Sequence, residues 1–281
     1  MKRFVLPFLL VVSSSQALDL RYGQGDFEWS ASALGFDSSV IVDDKIFSIN
    51  EQHKNIGDGS WYYFGNIDIH SSKQLDAMTD IADGISNLLP INPDDVAPFP
   101  TTYELSGFDM DIGAGYDLYQ DDRSFFGVGV VTGFSTPFMK MKNYLESAKA
   151  LNDLLNDTST DVETYKLGVS LQGAYNLAEI FSIYGTAIFA YQTGSLKNEL
   201  IQSSFDVTGT YTAFDIGAKY YLTNLSGEES NFYAKLGYAY KDWTIDDISG
   251  NLGVFDVPNL LSVVETDMNI DYIYLGIGYN F

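Results

Sequence analysis

The end of the chain carries its most constraining pattern. From 273 to 281, every second residue is apolar, and the residues between are small, polar or amphipathic. Such a period-two pattern predicts a β-strand with one apolar face. Chain termini usually fray, so a strand that runs to its final residue is unusual for a soluble domain. The apolar positions are Ile273, Leu275, Ile277, Tyr279 and Phe281.

The N-terminal segment of the chain has the features of an export signal. Lys2 and Arg3 precede the apolar run Phe4–Val12, and small residues follow, with Ser15 and Ala17 at the positions that signal peptidase reads. This order predicts a cleaved signal peptide over 1–17, because the apolar run is too short to span a bilayer. The mature part, 18–281, is then expected to be a single domain.

Composition excludes several functions. Without Lys2 and Arg3, the chain has 13 basic and 38 acidic side chains, a net charge of −25. Binding to nucleic acid through simple electrostatics is therefore not expected. The chain has no cysteine, which excludes disulfides, thiolate metal sites and cysteine nucleophiles. No cofactor and no metal site is predicted.

The middle of the chain alternates strands with short and long connections. The clearest strand, 102–120, sets apolar residues such as Phe108 and Ile112 against an Asp/Gly face. Similar alternation predicts strands over 124–139, 162–176, 180–196, 205–223 and 230–245. Upstream, 61–70 is predicted to be a strand, and the residues around Phe27 and Val40 contribute further strands. The count is about ten, with eight as the alternative.

Two long connections have helical periodicity. In Lys73–Leu89 apolar residues recur every three or four positions until Pro90, and Asn143–Asn156 shows the same spacing. Short amphipathic helices in these loops are therefore predicted.

Taken together, these features resemble small outer-membrane β-barrel proteins of Gram-negative bacteria. The resemblance covers nearly the whole mature chain, and its most specific part is 273–281. It implies an antiparallel transmembrane β-barrel with both termini in the periplasm, surrounded by outer-membrane lipid and lipopolysaccharide. It also implies that the barrel-assembly machinery reads Phe281 and the alternate apolar residues before it as an assembly signal.

Strand parity then places charged residues inside this barrel. The predicted lumen-lining residues are Asp109, Asp111, Asp117, Lys166, Asp215, Lys219, Lys235 and Lys241. Such charges either pair across a closed interior, because an unpaired buried charge is costly, or line a narrow path for small solutes. The expected function is a porin-like channel or a closed structural barrel, with a surface adhesion or binding barrel as the alternative.

Catalysis is not expected. The segment His70-Ser71-Ser72 has the His-x-Ser spacing of outer-membrane lipid hydrolases, in which a histidine activates a serine. Lys73, however, stands where those enzymes usually have asparagine. Parity also turns His70 and Ser72 toward the interior, away from the lipid that a hydrolase must reach.

Overall fold

The computed structural model is built entirely from β-strands in the parts of the chain that it describes, which are 17–33, 36–52, 59–72, 75–78, 100–143, 159–198, 203–223, 229–249 and 265–280. The strands are β1 (Ala17–Ala33), β2 (Phe36–Gln52), β3 (Trp61–Ser72), β4 (Leu75–Met78), β5 (Pro100–Gln120), β6 (Ser124–Asn143), β7 (Ser159–Ala178), β8 (Phe181–Asn198), β9 (Ser203–Thr223), β10 (Glu229–Ser249) and β11 (Glu265–Asn280). No helix among these residues is long and apolar enough to cross a membrane.

The strands close into a ring. Apart from β3 and β4, consecutive strands pair antiparallel; β1 closes the sheet against β11, and β3 pairs with β5. The short β4 continues β3 along the same edge of β5, so the ring has ten positions. The prediction of about ten strands is confirmed, and the eight-stranded alternative is wrong.

The register fixes the shape of the ring. Followed from strand to strand once around, the pairing leads from Ser30 to Leu18 on the same strand, a displacement of twelve positions. With a rise of about 3.3 Å per residue and strands about 4.8 Å apart, this stagger tilts the strands by about 40°, a typical barrel value.

Several predicted boundaries need correction. The helix predicted over Lys73–Leu89 is wrong over Leu75–Met78, because these residues pair with β5 as a strand. The rest of that helix, and the second one beyond Asn143, lie outside the described residues. β6 and β10 are longer than predicted and reach Asn143 and Ser249. Hydrogen-bonded pairing with neighbouring strands carries them past the point where the alternating pattern fades.

The barrel has two distinct ends. We call the end with the connections 53–60, 121–123, 179–180 and 224–228 the turn end; it also holds Ala17 and Asn280, which pair with each other. The opposite end, with the three longest connections, is the loop end. At the turn end, rings contact each other between neighbouring strands on the outer face: Trp61 with Tyr116 at 5.3 Å and Phe232 with Tyr279 at 4.7 Å between centroids.

Side-chain polarity inverts along the barrel axis. On β1 near the turn end, Leu20 and Tyr22 are exposed on the outside, while Asp19 is buried inside. Toward the loop end the outer face becomes polar at Asp26, and the inner face becomes apolar at Phe27, which is buried. β10 and β11 change in the same way. The turn-end half is therefore apolar outside and charged inside, whereas the loop-end half has the polarity of a soluble barrel.

An apolar core fills the loop-end half. It is formed by inward side chains from every part of the ring that are almost fully buried. Its largest member, Trp243, packs against Phe27 with 6.5 Å between ring centroids and against Tyr211 with 5.6 Å. The other members include Val42, Leu105, Met139, Val162, Phe205, Val207, Ile245, Met268 and Ile270.

One short turn is held by a single carboxylate. Asp121 accepts hydrogen bonds from the Tyr119 hydroxyl at 2.6 Å and from the backbone N–H groups of Arg123 and Ser124 at 2.8 and 2.7 Å. The Tyr119 bond, followed by the others, lowers the pKa of Asp121 from 3.8 to about 2. Since the ionised carboxylate is the acceptor, this stabilisation is complete above pH 4 and disappears as the pH falls toward 2.

Interior tyrosines lie flat on glycines of neighbouring strands. A side chain at any of these glycines would collide with the ring, so the glycines make room for the tyrosines and the rings cover the exposed backbone. The pairs are Tyr62 on Gly115, Tyr184 on Gly217, Tyr233 on Gly278, Tyr272 on Gly23 and Tyr274 on Gly237.

This packing makes Gly237→Ala destabilising. The added methyl carbon would lie 2.4 Å from the Tyr274 ring and 2.8 Å from the carbonyl oxygen of Ile216. Overpacking of this kind costs about 1–3 kcal/mol. Urea unfolding of the barrel in lipid vesicles measures it. Gly185→Ala is the matched control, because its methyl carbon meets nothing closer than 3.7 Å; equal unfolding midpoints for the two variants would contradict the packing described here.

Candidate functional site: the charged interior

The charged residues predicted for the interior are all inside the barrel, and seven of the eight are buried. The exception is Asp215, whose side chain is 22% exposed. Seven of the eight, with Asp19, Arg21 and Asp68, which the sequence did not single out, form two clusters along the axis. Asp117 lies nearer the turn end, buried beside Tyr62 and Gly127, and Lys219 belongs to the turn-side cluster described below.

The loop-side cluster is centred on Asp109. Lys166 Nζ lies 2.5 Å from Asp109 Oδ1 and 2.7 Å from Asp111 Oδ1. Lys241 bridges from Asp109 to Asp68, at 2.6 Å from Asp68 Oδ2. These five residues join β3, β5, β7 and β10 across the interior. Each strand is therefore fixed to the opposite wall as well as to its neighbours.

Aromatic and hydroxyl groups complete the loop-side cluster. The Tyr211 hydroxyl donates to Asp109 or Asp111, with 3.2 Å to each, and its ring lies 3.7 Å from Lys166 Nζ. Ser135 donates to Asp109 and accepts a 2.9 Å hydrogen bond from the Trp243 indole N–H. The ionic cluster is thereby bonded directly to the apolar core above it.

The turn-side cluster is built around Arg21. Its guanidinium lies 2.7 Å from Asp215 and 3.4 Å from Asp19, and its face is 4.7 Å from the Tyr274 ring centroid. Lys235 also pairs with Asp19. The hydroxyls of Tyr233 and Tyr274 donate to Asp19 and Asp215, and Lys219 and Tyr184 complete the group.

The formal charges of the two clusters balance. The loop-side cluster has three carboxylates and two lysines, and the turn-side cluster has two carboxylates, one arginine and two lysines. One is therefore net −1, the other net +1, and together they are neutral. Neutrality matters because an uncompensated charge in a low-dielectric interior is strongly destabilising.

A small polar cavity separates the clusters. Its volume is about 70 Å³, and Arg21, Asp215 and Lys235 line it from one side, with Asp111, Lys241 and Tyr272 on the other. This space suits a few water molecules with several polar partners each. In the described part of the chain, no three histidine or acidic side chains are arranged to hold a metal ion.

The sequence segment His70-Ser71-Ser72 forms a polar contact with a neighbouring strand. His70 Nδ1 lies 2.6 Å from Asp44 Oδ2, and the Ser72 hydroxyl accepts the N–H of Leu105 at 2.7 Å. Both His70 and Ser72 are buried inside the barrel, while Ser71 is exposed on the outside. The described hydrogen bonds of His70 do not include either serine.

Sequence reasoning missed three of the ten charged residues in this network. Asp19 and Arg21 lie on β1, where the strand parity was not worked out, and Asp68 lies on β3, where parity already turned it inward with His70. Parity on β1 was nonetheless readable, since Leu18, Leu20 and Tyr22 alternate with Asp19 and Arg21. The inward tyrosines carried no signal of their own, because tyrosine also occurs on the outer face.

Comparison with known proteins identifies the fold. No protein-family model matches the chain, and no curated protein matches it in sequence. In structure it is similar to the outer membrane protease OmpT from Escherichia coli, with a TM-score of 0.53 and 10% identity over 94% of this chain and 96% of that one. The fold is therefore that of the Gram-negative outer-membrane β-barrels.

Weaker likenesses are found in barrels with other roles. The translocator domain of the autotransporter NalP from Neisseria meningitidis has a TM-score of 0.38, with 8% identity over 100% of this chain and 95% of that one. Neisserial surface protein A has a TM-score of 0.30, with 14% identity over 93% and 97%. At these values only the OmpT likeness bears on the fold, and it does not transfer the protease activity to this chain.

The loop-side cluster predicts a strong effect for Asp109→Asn. Loss of this carboxylate removes the shared partner of Lys166 and Lys241, so that each buried ammonium group keeps a single carboxylate, Asp111 or Asp68. Breaking a buried ion pair from one side costs about 3–5 kcal/mol. Urea unfolding followed by tryptophan fluorescence measures this loss. Asp206→Asn, at an exposed outward position, is the control and should stay near wild type; an equal loss in both would refute the role of the buried network.

Proposed function

We propose that this chain is an integral outer-membrane protein of a Gram-negative bacterium, a closed and non-enzymatic barrel whose loop end faces the outside of the cell. The turn end, with both termini of the barrel, then faces the periplasm. In this proposal 1–17 is a cleaved signal peptide, so the mature protein begins at Leu18.

The outer surface supports the membrane position. Apolar side chains cover the turn-end half of every part of the ring, including Leu275 and Ile277, which are 66% and 64% exposed. Strands of about 20 residues at about 40° rise roughly 50 Å along the axis, whereas the apolar band of outer-membrane barrels is about 25 Å tall. The outer face is apolar in the turn-end half and polar in the loop-end half. It therefore fits a bilayer around the first half and water around the second.

The filled interior supports a closed barrel rather than a channel, and the functional conclusion depends on this single observation. Within the expected bilayer region, the two ionic clusters bridge opposite walls. Beyond it, the apolar core packs across the loop-end half with Trp243 at its centre. A solute would have to break paired charges and also pass through apolar side chains.

The buried histidine supports a non-enzymatic role. A lipid hydrolase needs its serine and histidine at the bilayer, whereas His70 and Ser72 point into the packed interior. The acidic residues of the loop-side cluster are likewise held by lysines and covered by the apolar core, which keeps them from a substrate.

Planar bilayer recordings test the closed state. The purified wild-type protein should insert without producing discrete conductance steps. Asp109→Asn and Lys235→Gln should lower stability, again without steps of defined size, since they remove pairing without opening the apolar core. Reproducible wild-type steps whose size changes in either variant would show a solute path and overturn the closed barrel.

Cysteine labelling tests location and orientation, because the native chain contains no cysteine. Ser249→Cys lies at the loop end and Gly59→Cys at the turn end, and both positions are exposed. A membrane-impermeant maleimide should label position 249 on intact cells and position 59 only after the outer membrane is opened. The reverse pattern would invert the orientation, and labelling of a soluble periplasmic protein would refute the membrane location.

Phe281→Ala tests the assembly signal. Phe281 lies outside the described residues, but Tyr279, Ile277, Leu275 and Ile273 before it share the outward face of β11. Burial of one aromatic side chain contributes about 1.5–3 kcal/mol, a modest share of barrel stability, so the defect should appear in assembly.

Unassembled Phe281→Ala protein should accumulate in the periplasm or be degraded there. Fractionation and heat-modifiable mobility in electrophoresis measure the assembled share. Asn280→Ser, next to it, is the control and should assemble nearly as well as wild type. Normal assembly of both variants, or a worse defect in Asn280→Ser, would show that the signal was misread.

A further inference from the structure

A pair of glycines interrupts the apolar outer surface. Gly173 on β7 and Gly185 on β8 are paired across the strands, and the same row continues to Phe126 on β6 and Ile216 on β9. The outer face therefore lacks two adjacent side chains in the middle of an apolar row.

These glycines differ from those inside the barrel. A methyl carbon at Gly173 would meet its nearest heavy atom at 3.2 Å, and one at Gly185 at 3.7 Å, whereas at Gly115, Gly217 and Gly278 the nearest atom is at 2.2 to 2.5 Å. At Gly173 that atom is the backbone carbonyl oxygen of Phe125, which leaves little room, whereas Gly185 has ordinary space for a side chain. The chain's own packing therefore does not explain the glycine at 185. Glycine within a strand often marks a place where something else approaches the backbone closely.

The missing side chains leave a groove on the outer face. Its volume is about 340 Å³, and its lining is apolar and aromatic, with Tyr119, Phe126, Tyr175 and Ile183 around the two glycines. The groove lies in the turn-end half, within the apolar band. The surface there is expected to meet hydrocarbon chains, and the hydroxyl of Ser124 in the lining donates to Asp121 at 2.9 Å.

The β5–β6 turn beside the groove carries charged residues of both signs. Arg123 and Asp122 are exposed in the β5–β6 turn, and the carbonyl oxygen of Arg123 accepts the N–H of Asn176 at 2.7 Å, which places it beside Tyr175. The neighbouring carboxylate of Asp121 is already occupied within the turn. An adjacent cation and anion match the phosphate and amine of a zwitterionic head group.

We propose that this groove is a binding site for one phospholipid of the leaflet at the turn end, with an acyl chain over Gly173 and Gly185 and a phosphoethanolamine head group at Arg123 and Asp122. This proposal rests on the membrane position proposed above. It adds a defined lipid site to a surface that otherwise contacts lipid without preference.

Photo-crosslinking tests the site in the full chain. The protein is inserted into phosphatidylethanolamine vesicles that contain a phosphatidylethanolamine probe with a diazirine on its acyl chain, and the labelled residues are mapped by mass spectrometry. Labelling at Phe126, Tyr175 and Ile183 should exceed that at Leu275 and Ile277, on the opposite wall, which report insertion alone.

Filling the groove should abolish this excess. In Gly173→Leu and Gly185→Leu, the leucine would occupy space that the acyl chain needs. Loss of the burial of about two methylene groups weakens lipid binding roughly tenfold. Ala187→Leu, in the next outward row of β8, is the matched control and should keep the wild-type pattern. Arg123→Gln should reduce the excess with this probe.

The outcomes separate the two proposals. Even labelling of all outward positions, or an excess that persists when either glycine is replaced by leucine, overturns the lipid site and leaves the membrane barrel intact. No labelling at Leu275 and Ile277 overturns membrane insertion, and the lipid site with it. A dimer in native mass spectrometry that is lost in Gly173→Leu would identify a second copy of the chain as the occupant and overturn the phospholipid.

Discussion

The structure depends on charge neutrality within a narrow interior. Ten strands with a stagger of twelve enclose a space that side chains nearly fill, and in the turn-end half those side chains carry charge. Water has little access there, so the carboxylates of the two clusters are stabilised by cations at bonding distance. Asp109 has two such cations, Lys166 and Lys241. Arg21 is the cation that Asp19 and Asp215 share. Because these partners lie on different strands, electrostatic pairing also ties the walls of the barrel together.

The glycine and tyrosine pairs support the same charged clusters. Long lysine and arginine side chains need lateral support to keep their charged ends in place, and tyrosine gives it with a flat ring and a hydroxyl donor. Each ring in turn needs space, which the glycine on the next strand provides. A glycine on one strand, a tyrosine on the next and a charge across the interior therefore act together, although they are far apart in the sequence.

The sequence predicted most of the ring and a large part of its interior. Alternation identified the strands from β5 to β11, because the outward side of their turn-end halves is apolar. It also selected eight charged positions that the structure places inside. The sequence prediction failed where one residue pattern is compatible with two structures. Helical spacing over Leu75–Met78 was overridden by pairing with β5. The apolar core escaped notice because Phe27 and Trp243 continue the inward parity of charged residues, and alternation alone does not show where the polarity of the two faces is exchanged.

The exchange of polarity along the strands has a consequence for how the chain tolerates variation. With the turn-end half in a bilayer, as proposed, a serine in place of Tyr22 on β1 would expose polar groups to hydrocarbon. A serine at Gln24, two positions further on the same face, would remain in water. On the inner face the order is reversed: polar residues belong at Arg21, and apolar residues belong at Phe27. Sequences that diverge from this one while keeping the fold should therefore exchange their hydrophobic parity within each long strand. In the proposed membrane position, the residue number at which the parity exchanges marks where the edge of the bilayer falls on that strand.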